Sequence, residues 1–428
     1  MSYTNTSLPT VAVVYALGAG SPTAVTEAGR GLCEILWVYD SSDGSIREAV
    51  PLLRHTAAVL DVAGLLPQEA AAALVIRGVD AITTFSESRI RWTADVAVAA
   101  GWPYHSLNAA RALTDKAVQR TAFTQAGVSP LRHQLITPSQ DPTEAASEVR
   151  FPAVLKPRSG AGSRNTLPVT DLHSLHSALS AVPDDEEMVL EEQLRGDSSV
   201  AGSQWGDYVS VETLTGPEGH EVLAVCGKLP LVTPYRETGS VFPSTLSSGP
   251  LRDAEKLAMR ALDALGVGYG ISHTEVKLTL EGPRLIEVNG RVGGGTAPVI
   301  RAVGGPDLLQ AALCAALGMP YAWDRNAPQK VAYEYLSPAP TQVAVVRSIS
   351  GIREIRKLPG VTQFSPSVRP GTLLDWRTGT ESYLGWTHGV AANHDEVLTS
   401  IGRIDALLKV ELEERDKAVQ LAADCPAT

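Results

Sequence analysis

The sequence predicts a fold of mixed α/β and α+β class, and three patterns lead to this prediction. Near the amino terminus, runs rich in β-branched residues alternate with helix-like segments, which is typical of a parallel sheet. In the middle, two strand-like runs flank a turn at Gly282, which predicts an antiparallel hairpin. Beyond Pro338, short β-like runs are broken by glycines. The 428 residues exceed the roughly 250–300 at which single cores stop growing, so several domains are expected.

Residues 1–112 are predicted to form an amino-terminal domain around a small parallel sheet. Its first strand ends at Gly18-Ala19-Gly20, which resembles the start of a dinucleotide fingerprint but lacks the third glycine at the required spacing. A tight βα turn is therefore the favoured interpretation of these glycines. The pattern predicts strands at residues 11–17, 34–39 and 81–84, and helices at residues 24–32, 67–77 and 89–100.

Residues 113–335 are predicted to form a central domain that begins with a helix. Thr114 or Asp115 supplies the N-cap of this helix, and Gly127 followed by Pro130 ends it. A strand then leads into a loop of small residues at 157–164. Strands are expected at residues 151–156, 188–192, 208–213, 272–279 and 284–289, and later helices at residues 257–265 and 307–317.

Residues 336–428 are predicted to form a smaller carboxy-terminal α+β domain. The β-like runs lie at residues 342–348 and 382–390, and the periodicity of the last segment predicts a helix over residues 395–415. No internal repeat is visible in the sequence.

Composition and charge exclude several classes of partner. The chain has 36 Lys and Arg against 47 Asp and Glu, a net charge of -11, which disfavours nucleic acid as the main ligand. Its four cysteines are far apart and form no metal-binding or disulfide pattern, which suits a reducing cytoplasm. No apolar run reaches transmembrane length without charges, so we expect a soluble cytoplasmic protein with no membrane partner.

The hairpin in the middle of the chain carries the most informative residues. Because side chains alternate along a strand, His273, Glu275 and Lys277 share one face of the first strand. By the same alternation, Leu285, Glu287 and Asn289 are predicted to share a face of the second strand. A register centred on Glu281, with Gly282 as the left-handed turn residue, places Glu275 directly opposite Glu287.

Two opposed carboxylates repel each other unless a cation lies between them. Carboxylate and amide oxygens, completed by water and phosphate, are what Mg²⁺ takes at a nucleotide site, so Glu275, Glu287 and Asn289 are candidate metal ligands. The alternative is a solvent-facing strand pair with scattered charge. It is less favoured because the polar pattern continues into Arg291 and the glycines at residues 293–295.

The hairpin and the elements around it resemble the nucleotide site of the ATP-grasp superfamily. Glu275, with Glu287-Val288-Asn289-Gly290-Arg291, is similar to the metal-binding signature of that superfamily. The resemblance implies an ATP-grasp fold with a mobile lid subdomain at about residues 130–195, and a domain arrangement like that of biotin carboxylase. It also implies ATP contacts, in chain order, at Lys116, Lys156, Ser159, Gly160, Gly162, Ser163, Glu191, Glu192, Leu194 and Asp207.

Each of these ATP contacts has a role implied by the resemblance. Lys116 and Lys156 correspond to the two nucleotide-binding lysines, residues 159–163 to the glycine-rich loop and residues 189–194 to the hinge that binds adenine. Glu191 and Glu192 face opposite ways on one strand, so at most one side chain is expected to point at the ligand. Asp207 corresponds to an acid near the ribose, although residues 197–206 separate it from the hinge.

The segment after the signature favours one reaction within the superfamily. Residues 292–296 are Val-Gly-Gly-Gly-Thr, so the carboxylate base that the resembling biotin carboxylases carry there is absent. Residues 234–244 resemble the segment of L-amino-acid (dipeptide) ligases in which a glutamate, here Glu237, holds a substrate amino group. The same comparison gives Arg291 the substrate carboxylate and the transferring phosphate, and Gly294 a further substrate contact. A guanidinium suits both anions.

The expected activity is therefore an ATP-dependent carboxylate–amine ligase that proceeds through an acyl phosphate, with Arg291 and Glu287 as catalytic residues. The expected cofactors are ATP and Mg²⁺, with Mn²⁺ as the alternative metal, and the expected partners are a small carboxylate and an amine of amino-acid type. Related enzymes are often dimers, so a homodimer is consistent with the resemblance. The alternatives are a carboxylase or nucleotide-precursor ligase that uses bicarbonate, and a non-catalytic nucleotide-binding protein.

Overall fold

The parallel sheet predicted for the amino-terminal part is confirmed. The structure is a computed structural model that describes residues 7–414 apart from Ser139, Asp184 and Ala327. The strands pair in parallel in the order β3-β2-β1-β4. They are β1 (Thr10–Val14), β2 (Glu34–Tyr39), β3 (Ala58–Asp61) and β4 (Ala81–Thr84). Between and after them lie helices α1 (Pro22–Ala28), α2 (Val50–Thr56), α3 (Pro67–Ile76), α4 (Ile90–Ala100) and α5 (Leu107–Thr114).

The glycine turn after β1 packs closely against the chain at the end of β4. A Cβ placed on Gly18 would lie 2.5 Å from the carbonyl oxygen of Phe85, so the chain passes here only because the residue is glycine. The sequence analysis missed α2 and β3, which are short and follow each other with no glycine or proline between them.

The next part of the chain forms a small antiparallel sheet in the order β5-β8-β6-β7. The helix that precedes this sheet begins at Lys116. Asp115 is its N-cap, one of the two residues predicted for that position, and its side chain accepts hydrogen bonds from Ala117 N and Val118 N. The elements are α6 (Lys116–Gln125), β5 (His133–Ile136), α7 (Pro142–Ser147), β6 (Ala153–Pro157), β7 (Leu167–Val169), α8 (Leu172–Leu179) and β8 (Met188–Glu192). We call the apolar cluster between this sheet and its two helices α7 and α8, which includes Leu155 and Leu175, the lid core.

The largest sheet has eight strands in the order β13-β12-β9-β10-β11-β14-β18-β16. Its strands up to β13 and the helices beside them are β9 (Tyr208–Gly216), β10 (Gly219–Lys228), β11 (Gly239–Phe242), α9 (Ser248–Leu265), β12 (Gly270–Thr279), β13 (Gly282–Asn289), α10 (Thr296–Arg301) and α11 (Leu308–Ala316). The remaining strands come from the carboxy-terminal part, so one sheet spans the domain boundary predicted at residue 335. The boundaries themselves stay predictions.

The carboxy-terminal part adds strands to this sheet and forms a small second one, ordered β17-β15-β19. Its elements are β14 (Val331–Pro338), β15 (Ala344–Ser350), α12 (Ile352–Ile355), β16 (Val361–Pro366), β17 (Leu373–Leu374), β18 (Tyr383–Ala391), α13 (His394–Leu407) and β19 (Lys409–Glu414). Among the described residues, no helix combines the length and the apolar character needed to cross a bilayer.

The helix predicted over residues 395–415 is wrong in its last part. The helix ends at Leu407, and residues Lys409–Glu414 pair with β15 as an antiparallel strand. In this stretch Val410 and Leu412 alternate with charged residues, which is the two-residue period of a half-buried strand. Residue 415 lies outside the described residues.

Candidate active site

Glu275 on β12 and Glu287 on β13 lie directly opposite each other, as the sequence predicts. Gly282 has a φ of +106°, in the left-handed region, and begins β13 directly after the turn. Thr279 pairs with Gly282, so the turn is centred between Leu280 and Glu281 rather than on Glu281. The register near the turn therefore differs by one residue from the predicted one, although the carboxylates still meet.

A bulge in β13 explains this difference and shows that the predicted face of Leu285 is wrong. Val276 pairs with Leu285 while Glu275 pairs with Glu287, so Ile286 is an extra residue in the second strand. A bulge breaks the strict alternation of side chains between the two faces of a strand. Leu285 is fully buried in the core, whereas Ile286 and Glu287 line the cleft beside the hairpin.

This cleft has an empty volume of about 1000 Å³ and lies between the eight-stranded sheet and the smaller sheet of β5 to β8. Most of the residues predicted to bind ATP or metal lie on its walls. Those that do are Lys116, Lys156, Ser159, Gly160, Gly162, Ser163, Glu191, Glu192, Leu194, Glu237, Glu275 and Glu287. The predicted site residues Asp207, Asn289, Arg291 and Gly294 are not among its lining residues.

Lys116 connects the hairpin to the glycine-rich loop. Its Nζ lies 3.3 Å from Oε2 of Glu287 and donates a hydrogen bond of 2.6 Å to the carbonyl oxygen of Gly160. Burial alone would raise the pKa of Glu287, but the charges of Lys116 and Lys156 outweigh it and hold this pKa well below its usual range. Glu287 is therefore ionised at neutral pH, as a metal ligand must be.

Lys156 lies at the opposite wall, in a buried ion-pair network. Its Nζ donates to Oε1 of Glu191 at 2.6 Å, and the Nε of Arg120 donates to Oε2 of Glu191 at 2.7 Å. Burial lowers the pKa of Lys156, whereas Arg120 and Lys156 together overcome burial and lower the pKa of Glu191 to about 2. The lowered pKa of Lys156 favours a neutral lysine, whereas the lowered pKa of Glu191 favours a charged carboxylate. The short charge-assisted hydrogen bonds between them favour the ionised pair.

Arg291 is held by a carboxylate that the sequence analysis missed. Its Nε lies 3.1 Å from Oε2 of Glu87, which follows β4, and its Nη1 donates to the carbonyl oxygen of Val292. Burial raises the pKa of Glu87 more than the charges of Arg291 and Lys116 lower it. The one available signal was topological, because loops after the carboxyl ends of parallel strands often form ligand sites.

Three further predicted residues lie near the cleft but not on its walls. Asn289 is buried, and its Nδ2 lies 3.4 Å from Oε1 of Glu287. Asp207 accepts a hydrogen bond of 2.6 Å from Nζ of Lys277, which does line the cleft. Gly294 is exposed, and a Cβ placed on it would meet open space.

Glu237 also lines the cleft, beside buried polar groups of the sheet. Its Oε2 is 3.5 Å from Nζ of Lys228. Burial would lower the pKa of Lys228, but Glu237 and Glu275 raise it above its ordinary value. The hydroxyl of Tyr208 is buried there with no hydrogen-bond partner among the described residues. The carboxylate of Glu237 and the phenol of Tyr208 are therefore available to a polar ligand in the cleft.

His273, also missed as a site residue, positions one of the two carboxylates. Its Nδ1 is 2.7 Å from Oε1 of Glu212, and its Nε2 is 3.5 Å from Oε1 of Glu275. Burial would lower the pKa of His273, but Glu212 raises it to about 9. The imidazolium is thus shared between the two carboxylates and orients Glu275.

The donor set at the hairpin fits a divalent cation that is bound together with phosphate. Across the residues described, no group of three or more His, Cys, Asp and Glu side chains is arranged to hold a metal by itself. Mg²⁺ at nucleotide sites takes one or two carboxylates and completes its shell with phosphate and water. Glu275 and Glu287, with Asn289 beside them, match that requirement.

The central part of the chain is similar in sequence to known proteins. Residues 149–299 match the family model described as ATP-grasp domain. Alanine–anticapsin ligase of Bacillus subtilis (strain 168) is 28% identical over 250 residues, which cover 54% of this chain and 53% of that protein. Carnosine synthase 1 of Gallus gallus is 34% identical over 192 residues, which cover 41% of this chain and 20% of that protein. The chain thus spans about half the length of alanine–anticapsin ligase.

Two solved structures show the same fold over nearly the whole chain. L-amino acid ligase from Bacillus licheniformis superposes with a TM-score of 0.74 at 19% identity, covering 96% of this chain and 100% of that chain. N5-carboxyaminoimidazole ribonucleotide synthetase from Thermotoga maritima gives a TM-score of 0.68 at 17% identity, covering 94% of this chain and 99% of that chain.

Proposed function

We propose that this chain, which has the ATP-grasp fold, is an ATP-dependent ligase that joins a carboxylate to the amine of an amino acid. The observation that carries the proposal is the opposition of Glu275 and Glu287 at one end of a cleft of about 1000 Å³. Lys116 and Lys156 stand on the walls of the same cleft. Two carboxylates and two lysines around one cleft suit a metal-bound triphosphate.

The nucleotide is proposed to bind along the walls that the two lysines mark. Lys156 and Lys116 are point charges for phosphate oxygens, and the glycine-rich loop at residues 159–163 closes over the polyphosphate. Residues 189–194 form the adenine side. Mg²⁺, or Mn²⁺ in its place, would be held by Glu275, Glu287 and Asn289 and would neutralise charge on the phosphates.

The chain's own residues then direct the reaction. Arg291, fixed by Glu87, orients the substrate carboxylate for attack on the terminal phosphorus and stabilises the developing charge. The closed glycine-rich loop keeps water away from the acyl phosphate, which would otherwise hydrolyse. Glu237 holds the amino group of a substrate, and Gly294, where a Cβ would meet open space, leaves room for a substrate. The amine then displaces phosphate, so the products are the amide, ADP and phosphate.

An amine is favoured over bicarbonate as the second substrate for two reasons. The stretch from Val292 to Thr296 carries no carboxylate that could serve as a base. Glu237 lies on the cleft wall, and its Oε2 is 3.5 Å from Nζ of Lys228, a distance at which an ammonium group can compete for the carboxylate. The sequence relatives whose names describe ligation of amino acids support the same choice.

A phosphate-release assay tests the proposal. The protein is incubated with ATP, Mg²⁺ and pools of protein amino acids, and separately with bicarbonate. Release that depends on an amino acid supports the ligase. Release that depends on bicarbonate would replace it with a carboxylase, and no release under any condition would leave a nucleotide-binding protein. Glu275→Gln should lose the activity, whereas Glu281→Gln, in the exposed turn of the same hairpin, should keep it.

A homodimer, a cytoplasmic location and the assignment of Asp207 to the ribose stay predictions. Size-exclusion chromatography with light scattering tests the first of these. An Asp207→Asn variant that binds ATP as tightly as the wild type would contradict the last.

A further inference from the structure

A segment of the carboxy-terminal part contacts the glycine-rich loop from outside the cleft. This segment, residues 376–382 between β17 and β18, we call the bridge segment. The backbone N–H of Thr380 donates to the carbonyl oxygen of Gly162 at 2.8 Å, and the N–H of Asn165 donates to the carbonyl oxygen of Arg377 at 3.1 Å. The Trp376 side chain packs against the lid core. The bridge segment therefore ties the glycine-rich loop and the lid core to the carboxy-terminal part of the chain.

Gly379 makes this approach geometrically feasible. Its φ of 71° and ψ of -136° lie in a region that only glycine adopts readily. A Cβ at this position would lie 2.1 Å from the carbonyl oxygen of Gly162 and 2.6 Å from the N of Arg164. A side chain on residue 379 would force the bridge segment and the glycine-rich loop apart.

The same segment contacts the loop that carries Glu237. The hydroxyl oxygen of Thr380 accepts a hydrogen bond of 3.3 Å from the backbone N–H of Glu237. Nη1 of Arg236 donates to the carbonyl oxygen of Ser382 at 3.3 Å, and Arg236 is buried. Residues 232–238 are thus held on one side of the bridge segment while the glycine-rich loop is held on the other.

We infer that Thr380 is a positioning residue that couples closure of the glycine-rich loop to occupation of the amine site. The inference rests on the proposed function, because it takes the carboxylate of Glu237 as the group that binds the amine. One residue joins the two sites through separate groups, its N–H on Gly162 and its hydroxyl on Glu237. An ammonium group bound to the carboxylate of Glu237 restrains this residue, whose backbone N–H donates to the hydroxyl of Thr380. Thr380 then keeps the glycine-rich loop closed over the acyl phosphate. The enzyme thereby protects the intermediate from water while an amine is present to consume it.

Two variants separate the two contacts, and a third serves as a control. Thr380→Val removes only the contact with Glu237, because the backbone N–H remains. Gly379→Ala acts first on the contact with the glycine-rich loop, because the added Cβ would clash with the carbonyl oxygen of Gly162. Thr378→Val is the matched control, because Thr378 is exposed and its hydroxyl donates to the carbonyl oxygen of Asp375 within the same turn.

Turnover measurements test the coupling in the active enzyme. For each variant, ADP and amide are quantified over a range of amino-acid concentrations. Thr380→Val should raise the amino-acid KM by about tenfold and form excess ADP per amide, because water reaches the acyl phosphate, while the KM for ATP changes little. Thr378→Val should match the wild type. A Thr380→Val enzyme with wild-type ADP per amide would overturn the inference.

Amide hydrogen exchange with Mg²⁺ and ADP alone tests the same link without any ligase activity. Coupling between two sites is reciprocal, so each variant should loosen the loop that it does not touch. Gly379→Ala should speed exchange in residues 232–238, and Thr380→Val should speed exchange in residues 160–165, each by about fivefold or more. Changes confined to the directly contacted loop would refute the coupling even if the ligase assignment holds. If exchange is coupled but no amide forms with any amino acid, the proposed function fails, and the coupling of the two loops through the bridge segment still holds.

Discussion

Two regions of the site are built in different ways. In the first, here called the metal end, Glu275, Glu287 and Asn289 belong to one hairpin, and the hydrogen-bond register of two adjacent strands sets their separation. In the second, here called the substrate end, Glu237 contacts the bridge segment, and Arg291 pairs with Glu87, which is far away in the sequence. The groups proposed to hold the cation are thus fixed by local structure. The groups proposed to hold the substrate are fixed by tertiary contacts, which can change without altering the hairpin.

Removing a carboxylate at the metal end should have the largest effect. Glu287→Ala eliminates a predicted metal ligand and the anion beside Lys116, so kcat should fall on the order of 10³-fold. Steady-state phosphate release measures this change. Circular dichroism should show a folded protein, and a folded variant with a tenth or more of the wild-type activity would contradict the assignment of Glu287.

A second test concerns whether the buried ion pairs of Glu191, at the proposed nucleotide site, also stabilise the folded state. Glu191→Gln removes the charge that pairs with two buried cations, Arg120 and Lys156, and should lower the free energy of unfolding by about 3 kcal/mol. Glu192→Gln is the control. Its partner Arg132 is 3.8 Å away and largely exposed, so the loss should stay below about 1 kcal/mol. Urea unfolding at neutral pH compares the two.

The same network fixes the sign of an acid effect. The folded pKa of Glu191 is about 2, below that of a free carboxyl group. Its stabilisation is therefore present above the unfolded pKa and is lost as the pH falls toward 2. Equal losses in Glu191→Gln and Glu192→Gln would show that the network contributes nothing to stability.

At the substrate end, Glu87→Gln tests whether an uncharged neighbour can hold Arg291. Glutamine keeps the shape but not the charge, so Arg291 should lose its orientation, and kcat/KM for the carboxylate substrate should fall by about 10- to 100-fold. The KM for ATP should change little, because Glu87 does not line the cleft. Recovery of activity in Glu87→Asp is expected if the charge matters. A loss confined to ATP binding would contradict the role of Glu87 in orienting Arg291.

The sequence was most informative where structure is local. The strand period and the turn glycine at Gly282 predicted that Glu275 and Glu287 are opposed, and the helix cap was predicted at Thr114 or Asp115 and lies at Asp115. The bulge at Ile286 could not be predicted, because an extra residue in one strand leaves no mark in the alternation until the partner register is known.

The contacts that long-range packing creates were not predictable. Glu87 is an ordinary loop glutamate until the amino-terminal part docks against Arg291. Thr380 likewise carries no motif, and its importance arises from two loops that meet it only in the folded chain. The strand at Lys409–Glu414 was assigned to a helix because its pairing with β15 is also a tertiary event. Sequence periodicity specifies faces and turns, but partners come from the fold.

The smallest expected effect concerns His105, which is buried against Gly290, the residue between Asn289 and Arg291. Burial lowers the pKa of His105 to about 4, below the value of a free histidine. The folded state therefore binds fewer protons than the unfolded state between these two values, so stability should decrease as the pH falls. Between pH 7 and pH 5.5 the loss should be about 1 kcal/mol. Chemical unfolding of the wild type and of His105→Gln, with the exposed His173→Gln as control, measures it. Over this range the wild type and His173→Gln should each lose about 1 kcal/mol more stability than His105→Gln, since glutamine does not titrate. An equal change in all three proteins would assign the acid sensitivity to other groups, such as His273 and the carboxylates of the cleft.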